Sequence, residues 1–228
     1  MRVLACETSG AACSVAWHDT AARAPNGGRE FYQPMTRGHA EHLPQQLADL
    51  LGRAGDANTP DIPDRLAVGI GPGSFTGVRI GLAAMRALAL AWQRPLCGVG
   101  SMAAMAARLV RTRARPRAPF LVLLETGRTH CYAQAFAPDG APLNAPARLD
   151  KAGAARLAAR HRARSALGDG AARFAAQLPC HGAPPSHAGD VARLAAAAAA
   201  CRAPVEPLYL QPYHVRAKLP PLAMRARA

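Results

Sequence analysis

The sequence predicts an α/β fold made of two duplicated βββαβα lobes, residues 1–115 and 116–228. Three observations carry this reading. The chain opens with two apolar runs joined by a tight turn, which a doubly wound dinucleotide-binding sheet does not do. Strand-like runs then alternate with segments of helical period. The opening also returns: Val3-Leu4-Ala5-Cys6-Glu7-Thr8 and Leu121-Val122-Leu123-Leu124-Glu125-Thr126 correspond at a fixed offset of 118, at which Cys13 also meets Cys131.

Residues 2–8 form the first strand, a continuous apolar run, and the turn Ser9-Gly10 leads into a second over 12–17. Residues 19–28 are a loop and 29–33 a third strand. Leu43, Leu47, Leu50 and Leu51 fall at i, i+4, i+7 and i+8 and predict a helix over 38–54. Pro44 must then lie near its first turn, where a missing N–H costs little. A buried strand over 66–70, a glycine-rich loop over 71–77, a helix over 78–92 and a short strand over 96–99 follow. Ser101 is the expected cap of a third helix running to about 113. The second half repeats the pattern: strands over 120–126 and 130–136, a turn at Asp139-Gly140, a helix over 151–162 and a short strand over 165–167. Helices from Ala171 and Gly189 close it. Two such units are the organisation of an actin-like ATPase, or ribonuclease-H-like, fold.

Half of the 228 residues are apolar and 18% are charged, which argues against a disordered chain. The longest apolar runs fall short of the ~18 residues that cross a bilayer, and no signal-peptide pattern opens the sequence. The cysteines at 6, 13, 97, 131, 180 and 201 form no CxxC pair, and three sit inside apolar runs. Free thiols in a reducing cytoplasm are therefore expected, not a disulfide scaffold or a zinc ribbon. The net charge is +14, distributed unevenly: residues 1–110 carry 10 basic and 8 acidic side chains, residues 111–228 carry 18 and 6. That asymmetry points to a polyanionic partner met mainly by the second half.

The sharpest local signal is Gly71-Pro72-Gly73-Ser74-Phe75-Thr76-Gly77, between a strand and a helix. Glycines there allow close backbone approach, and helix N-terminal N–H groups suit an anion. No Gly-Lys-Ser/Thr follows, so it is not a P-loop. A tight turn with Thr76 as the helix cap fits the same residues. Glu7-Thr8-Ser9 and Glu125-Thr126 each end a strand at a turn, and two facing carboxylates would hold a cation such as Mg²⁺, unless each caps its own turn. Glu7, Thr8, Ser9, Gly71, Gly73 and Ser74 are thus a candidate nucleotide or anion site, with no resident cofactor expected beyond weak nucleotide or Mg²⁺ binding. His39-Ala40-Glu41-His42 has neither the spacing nor the companions of a metal site.

The helix over 78–92 carries two apolar stripes, one of them small: Gly77, Gly81, Ala84, Leu88 and Ala91. A helix apolar on two sides is buried twice, within the core or against a helix of another chain. Arg111, Arg113, Arg115 and Arg117, with Arg108 nearby, form a first basic cluster and candidate phosphate contact; Arg156, Arg160, Arg162 and Arg164 form a second, and residues 216–227 a third. Aromatic residues are sparse among them, so contact would be to phosphates and not by base stacking.

These residues resemble a known family. The opening Val3-Leu4-Ala5-Cys6-Glu7-Thr8-Ser9 with Cys13-Ser14-Val15-Ala16, then His39 and Leu43-Pro44, then Gly71-Pro72-Gly73-Ser74-Phe75-Thr76-Gly77-Val78-Arg79-Ile80-Gly81, is similar to the TsaB family of bacterial tRNA threonylcarbamoyladenosine biosynthesis proteins. The likeness is strong to about residue 107 and continues weakly through Gly168-Asp169-Gly170 and Glu206-Pro207-Leu208-Tyr209-Leu210. It implies an actin-like fold and a non-catalytic, cytoplasmic subunit, a paralogue of the glycoprotease-like catalytic subunit TsaD. TsaD transfers threonylcarbamoyl onto the adenosine beside the tRNA anticodon. The resemblance further implies pairing with TsaD through first-lobe helices, a TsaE-like ATPase in the assembly, a homodimer when alone, and no membrane. On those helices the small stripe makes Gly77, Gly81, Ala84 and Leu88, with His39 and Leu43, the candidate interface, and Arg111, Arg113, Arg115 and Arg117 become the candidate tRNA contact. TsaD carries a metal-binding His-x-x-x-His; the matching positions here are Ser101 and Met105, neither of which replaces a histidine ligand. The sequence departs from the family in having Glu7 for an aspartate, Leu124-Glu125-Thr126-Gly127 in the second lobe, and a longer connection over 19–28. An actin-like kinase or a metal-dependent, glycoprotease-like hydrolase is the competing reading.

Overall fold

The computed structural model describes residues 1–22, 28–52, 62–112, 115–182, 185–202 and 204–211. Arg113, the basic residues 216–227 and the expected end of the first helix at 53–54 lie outside them.

Val3, Leu4, Ala5 and Cys6 are fully buried because β1 (Arg2–Glu7) is the central strand of its sheet. It pairs antiparallel with β2 (Ala12–Asp19) and parallel with β4 (Arg65–Gly69), while β3 (Gly28–Pro34) and β5 (Leu96–Val99) form the edges, in the order β3-β2-β1-β4-β5. α1 (His39–Gly52) joins β3 to β4, α2 (Phe75–Trp92) joins β4 to β5, and α3 (Ser101–Arg111) leads from β5 to the second sheet. The second sheet repeats the design, with β6 (Phe120–Glu125) antiparallel to β7 (His130–Phe136) and parallel to β9 (Ser165–Leu167). Its edge strand β8 (Ala147–Asp150) is absent from the sequence reading: four residues alternating half-buried and exposed carry almost no apolar signal. The order is β8-β7-β6-β9; α4 (Lys151–His161) joins β8 to β9, and α5 (Ala171–Phe174) and α6 (Ala188–Ala197) follow β9. These strand orders, with the same antiparallel and parallel neighbours around each central strand, make an actin-like, ribonuclease-H-like α/β fold.

The duplication is real in topology, but one of its letter matches is not. Glu7 faces Ser14 across its hairpin, whereas Glu125 faces Cys131. The second hairpin is one residue shorter, and a slip of one residue moves a side chain to the opposite face. Cys13, under Leu43 of α1, and Cys131, under Ala154 and Ala158 of α4, lie on corresponding faces; it is the two glutamates that part, Glu7 sharing the face of Val3 and Ala5 and Glu125 that of Leu121 and Leu123.

Each sheet is covered on both faces. Leu4, Cys6, Val15, Leu66 and Val68 meet Leu43, Leu47 and Leu50 of α1 and Leu82 and Met85 of α2. Val3, Ala5, Ala16 and Ala67 meet Ala188, Val191, Ala192 and Ala195 of α6, with Ala104 of α3. On the second sheet, Phe120, Val122 and Phe136 receive Met102, Met105, Ala106 and Leu109 of α3. The helix buried on two sides is therefore α3, lying between the sheets. The expectation for residues 78–92 is corrected, since α2 buries only Gly77, Val78, Gly81, Leu82 and Met85 of its 18 residues. By length and composition α2 matches a membrane span, yet it packs on the first sheet and carries Arg79 and Arg86.

Three local expectations change. Ser74, not Thr76, caps α2, accepting from the Gly77 N–H at 3.2 Å, so the helix starts at Phe75. Gly100 holds the N-cap position of α3 without a side-chain bond, which frees the Ser101 hydroxyl for the site described below. Pro44 is the sixth residue of α1, past its first turn.

A division at 115/116 separates the sheets but not the helices, because α6 returns to cover the first one. Arg65 anchors that return, its Nη1 donating to the carbonyls of Ala195 at 2.5 Å and Ala198 at 2.8 Å. The following segment lies along β4 and β5: the Leu208 N–H donates to the Ile70 carbonyl at 2.8 Å. There Cys97 and Cys201 are joined in a disulfide, with Cα atoms 4.7 Å apart. The expectation of free thiols fails for this pair, because the return of the chain brings 104 residues of separation to bonding distance.

Candidate functional site

A cleft of about 460 Å³ opens between the lobes. It brings together the turn after β1 (Ser9), the glycine-rich loop (Gly73, Ser74), the start of α3 (Ser101), the end of β6 (Glu125, Thr126), Asp169 and Ser186. Glu7 is 1% exposed beside Ser9 and Ser101. Its carboxylate accepts from the Ser9 N–H at 2.6 Å, the Ser101 hydroxyl at 2.9 Å and the Ser186 hydroxyl at 2.7 Å. Gly69 makes room for it: a Cβ there would collide with the carboxylate. A buried carboxylate is stable when donors meet both its oxygens, and three donors do so here.

The glycine-rich loop is committed to the end of β1. The Ser74 N–H donates to the Ser9 carbonyl at 2.7 Å, and Thr8 Oγ1 donates to the Gly77 carbonyl at 2.7 Å. A Cβ on Gly77 would strike the Thr8 carbonyl, and one on Gly81 would lie 2.5 Å from Thr8 Oγ1 and 3.3 Å from Cys6 Sγ. The Gly71–Pro72 peptide is cis. With Gly77 N–H and Val78 N–H also satisfied by Ser74, several donors that an anion would need are already used. Of the candidate anion-site residues, Gly73 and Ser74 are exposed toward the cleft, while Glu7, Thr8, Ser9 and Gly71 are buried.

The interface residues expected from the sequence are largely internal. Gly77, Gly81, His39 and Leu43 are buried, and Ala84 and Leu88 pack partly against the first core. The small stripe admits β1 of the same chain and not a foreign helix. The outward side of α2 is a different set: Ala83, Ala87 and Ala91 are exposed, and Leu90 is 81% exposed. Arg79 lies over the Phe75 ring at 3.9 Å and donates to the Tyr209 hydroxyl at 3.0 Å, at one end of this face.

On the second lobe, the Glu125 carboxylate pairs with Arg173 at 3.4 Å, and its N–H donates to Asp169 Oδ1 at 2.8 Å. Glu125 thus has a cationic partner of its own, and no cluster of three or more His, Cys, Asp or Glu suited to a metal occurs among the described residues. Nor do Arg111, Arg115 and Arg117 act together. Arg111 turns to the first lobe, 2.6 Å from Asp190, while Arg115 and Arg117 line a separate hollow with Pro116 and Pro138. Ser186 and Asp190 join Ser101 in the polar architecture, yet an isolated serine and one aspartate beside an alanine-rich stretch carry no sequence signal. Burial raises the thiol pKa of Cys6 and lifts those of Cys13 and Cys131 to about 11, so all three are inert at neutral pH.

Comparison with known proteins agrees with this geometry. The family described as TsaD, tRNA N6-adenosine threonylcarbamoyltransferase, matches residues 33–169. The tRNA threonylcarbamoyladenosine biosynthesis protein TsaB of Escherichia coli K12 is 40% identical over 107 residues, 46% of this chain and 43% of that protein. The tRNA N6-adenosine threonylcarbamoyltransferase of Anaeromyxobacter sp. Fw109-5 is 34% identical over 99 residues, 43% of this chain and 29% of that enzyme. The chain thus spans less than half the length of these curated relatives. Among solved structures, a Pseudomonas aeruginosa protein described as uncharacterized, with similarity to peptidase YeaZ, superposes with a TM-score of 0.74 at 26% identity, covering 92% of this chain and 99% of that one. YeaZ from the same organism superposes at 0.70 and 28% identity, over 86% and 90%.

Proposed function

Because this chain belongs to the TsaD family of tRNA N6-adenosine threonylcarbamoyltransferases, we propose that it is a non-catalytic subunit of the assembly that places threonylcarbamoyl on the adenosine beside the tRNA anticodon. In this reading a separate TsaD-like subunit performs the transfer, a TsaE-like ATPase joins the assembly, and the chain works in the cytoplasm, self-associating when alone. The kinship with the E. coli protein named for this biosynthesis supports it.

The observation that carries the non-catalytic reading is the start of α3. A metal-dependent relative would need a pair of ligands on this helix one turn apart. Ser101 is 1% exposed and its hydroxyl is bonded to Glu7 and Ser9; Met105 is 3% exposed in the core against the second sheet. A hydroxyl and a thioether are poor ligands for Fe or Zn beside imidazole. The residues present do not fit a catalytic metal.

The outward side of α2 is the proposed partner surface. Ala83, Ala87, Leu90 and Ala91 form an exposed apolar strip on the side of α2 turned away from the first core, and small side chains allow another helix to approach closely. The experiment is co-expression with a TsaD-like subunit and a TsaE-like ATPase, followed by threonylcarbamoyl transfer to tRNA with and without this chain. Transfer that requires the chain, and co-purification with the TsaD-like subunit, supports the proposal. Transfer unaffected by its omission, or turnover by the purified chain alone, overturns it.

A further inference from the structure

A second and larger cavity, of about 700 Å³, lies away from the cleft, where α3 and α6 cross the ends of β2 and β3. Its volume is within the range of small-ligand sites, but its wall is cationic: Arg29 from β3, Arg108 and Arg111 from α3, Arg193 from α6, with His18 and Glu30 beside them. Asp190, 1% exposed, lies 3.3 Å from Arg108, 2.6 Å from Arg111 and 3.7 Å from Arg193. Three guanidinium groups thus converge on one carboxylate. Glu30, held by the Gly189 N–H at 3.1 Å and His187 Nδ1 at 3.2 Å, is the second carboxylate beside them.

Four guanidinium groups share this wall with two carboxylates, Asp190 and Glu30, so positive charge is in excess there. Burial, then the nearby Arg111 and Arg108, depress the pKa of Arg193 below the ordinary guanidinium value, against the opposing pull of Asp190 and Glu30. Like charges held together in a concave site are relieved by a multivalent counter-ion. Guanidinium forks match phosphate oxygens two at a time, and each phosphate group offers three acceptor oxygens against a carboxylate's two.

We propose that this cavity is a phosphate-binding site in which Arg29, Arg108, Arg111 and Arg193 hold a phosphate-bearing ligand, either the phosphates of a small molecule or the backbone of an RNA. The site is independent of the α2 surface and of the assignment to threonylcarbamoylation. It also redistributes the basic excess of the second half of the sequence: Arg111 and Arg193 fold back onto the first lobe.

The test uses the full chain, with inorganic tripolyphosphate and an unmodified tRNA transcript as separate probes, titrated against the parent, the Arg29→Gln/Arg111→Gln double variant and an Arg156→Gln/Arg160→Gln control on exposed α4. Asp190 keeps Arg108 and Arg193 in the double variant, so its charge stays compensated; circular dichroism checks the fold, and Arg29→Gln alone serves if the pair unfolds. The expected result is saturable tripolyphosphate binding that falls roughly tenfold or more in the double variant and not in the control. For tRNA, the slope of log affinity against log salt should fall by about 0.7–0.9 per phosphate contact removed. Loss with tripolyphosphate alone identifies a small phosphorylated ligand; loss with tRNA, an RNA backbone. Absence of binding by the parent, or equal loss in the double variant and the control, or no loss with either probe, overturns the site.

Discussion

Ser186 donates its hydroxyl to the Glu7 carboxylate at 2.7 Å, across 179 residues of chain. With Ser101 it binds three segments at one buried charge: the end of β1, the start of α3 and the approach to α6. An acidic residue at the end of the first strand suggests cation binding when read in sequence. In the folded chain it holds the lobes' shared wall together.

Glu7→Gln should therefore act on stability. An amide replaces one acceptor oxygen by a donor facing groups that already donate, and losing such bonds in a buried site costs about 1–3 kcal/mol. Urea denaturation reads this as a lower midpoint with an unchanged slope. A variant as stable as the parent, with a lost response to Mg²⁺, would restore the cation reading.

Two substitutions on α2 should separate core from surface. Gly81→Ala places a methyl 2.5 Å from Thr8 Oγ1 and should destabilise the chain by about 1–3 kcal/mol through overpacking. Leu90→Glu, at an 81% exposed position, should leave the fold within about 0.5 kcal/mol while weakening binding to a TsaD-like subunit and self-association. Thermal melts and a binding titration on the same preparations decide it; normal binding by Leu90→Glu moves the partner surface off this face.

Thiol chemistry should be sharply divided. In the native, oxidised protein only the exposed Cys180 should react with a maleimide, because Cys6, Cys13 and Cys131 are buried and Cys97 is joined to Cys201. Reduction should make the last two available, and mass spectrometry should recover their linked peptides beforehand. Replacing Cys97 and Cys201 by serine should cost about 2–4 kcal/mol under oxidising conditions, as expected for so long a closed loop. Two further labelled thiols without reduction would show that the pair is not joined.

Stability should rise with pH near neutrality through His18. Burial first, then Arg193, the N-terminus and Arg111, lower its pKa, with Asp19 opposing. The unfolded chain then binds a proton that the native chain does not, from the ordinary histidine pKa of about 6.5 downward to the depressed native one. This destabilises the fold as pH falls through that window and has no effect above it. Denaturation series from pH 5 to pH 8 on the parent and His18→Gln check this; the variant's profile should be the flatter.

Most of the architecture was legible because it rests on local patterns. Apolar runs set β1 and β6, leucine spacing set α1, and the recurrence of Glu-Thr at the strand ends exposed the duplication. What failed depends on contacts between distant segments. The small stripe of α2 has the composition of a helix interface; only the fold shows that Thr8 and Cys6 occupy it. Apolar content alone points to α2 as the two-sided helix, whereas α3, which has two buried faces, also carries Arg108 and Arg111. Arg111 and Arg193 counted toward a basic second half, though Asp190 gathers both onto the first lobe.

The return of α6 to the first sheet also sets an order of events during synthesis. Domains emerging from a ribosome generally fold from the N-terminus onward. Here Val3, Ala5, Ala16 and Ala67 lose their cover if the chain stops before Val191, Ala192 and Ala195 have been made. The strands β6 to β9 and their helices α4 and α5 are complete by Phe174. The lobe translated first therefore stays unfinished until the lobe translated second has left the ribosome, and a nascent chain truncated before residue 188 exposes an apolar sheet face to the cell's chaperones.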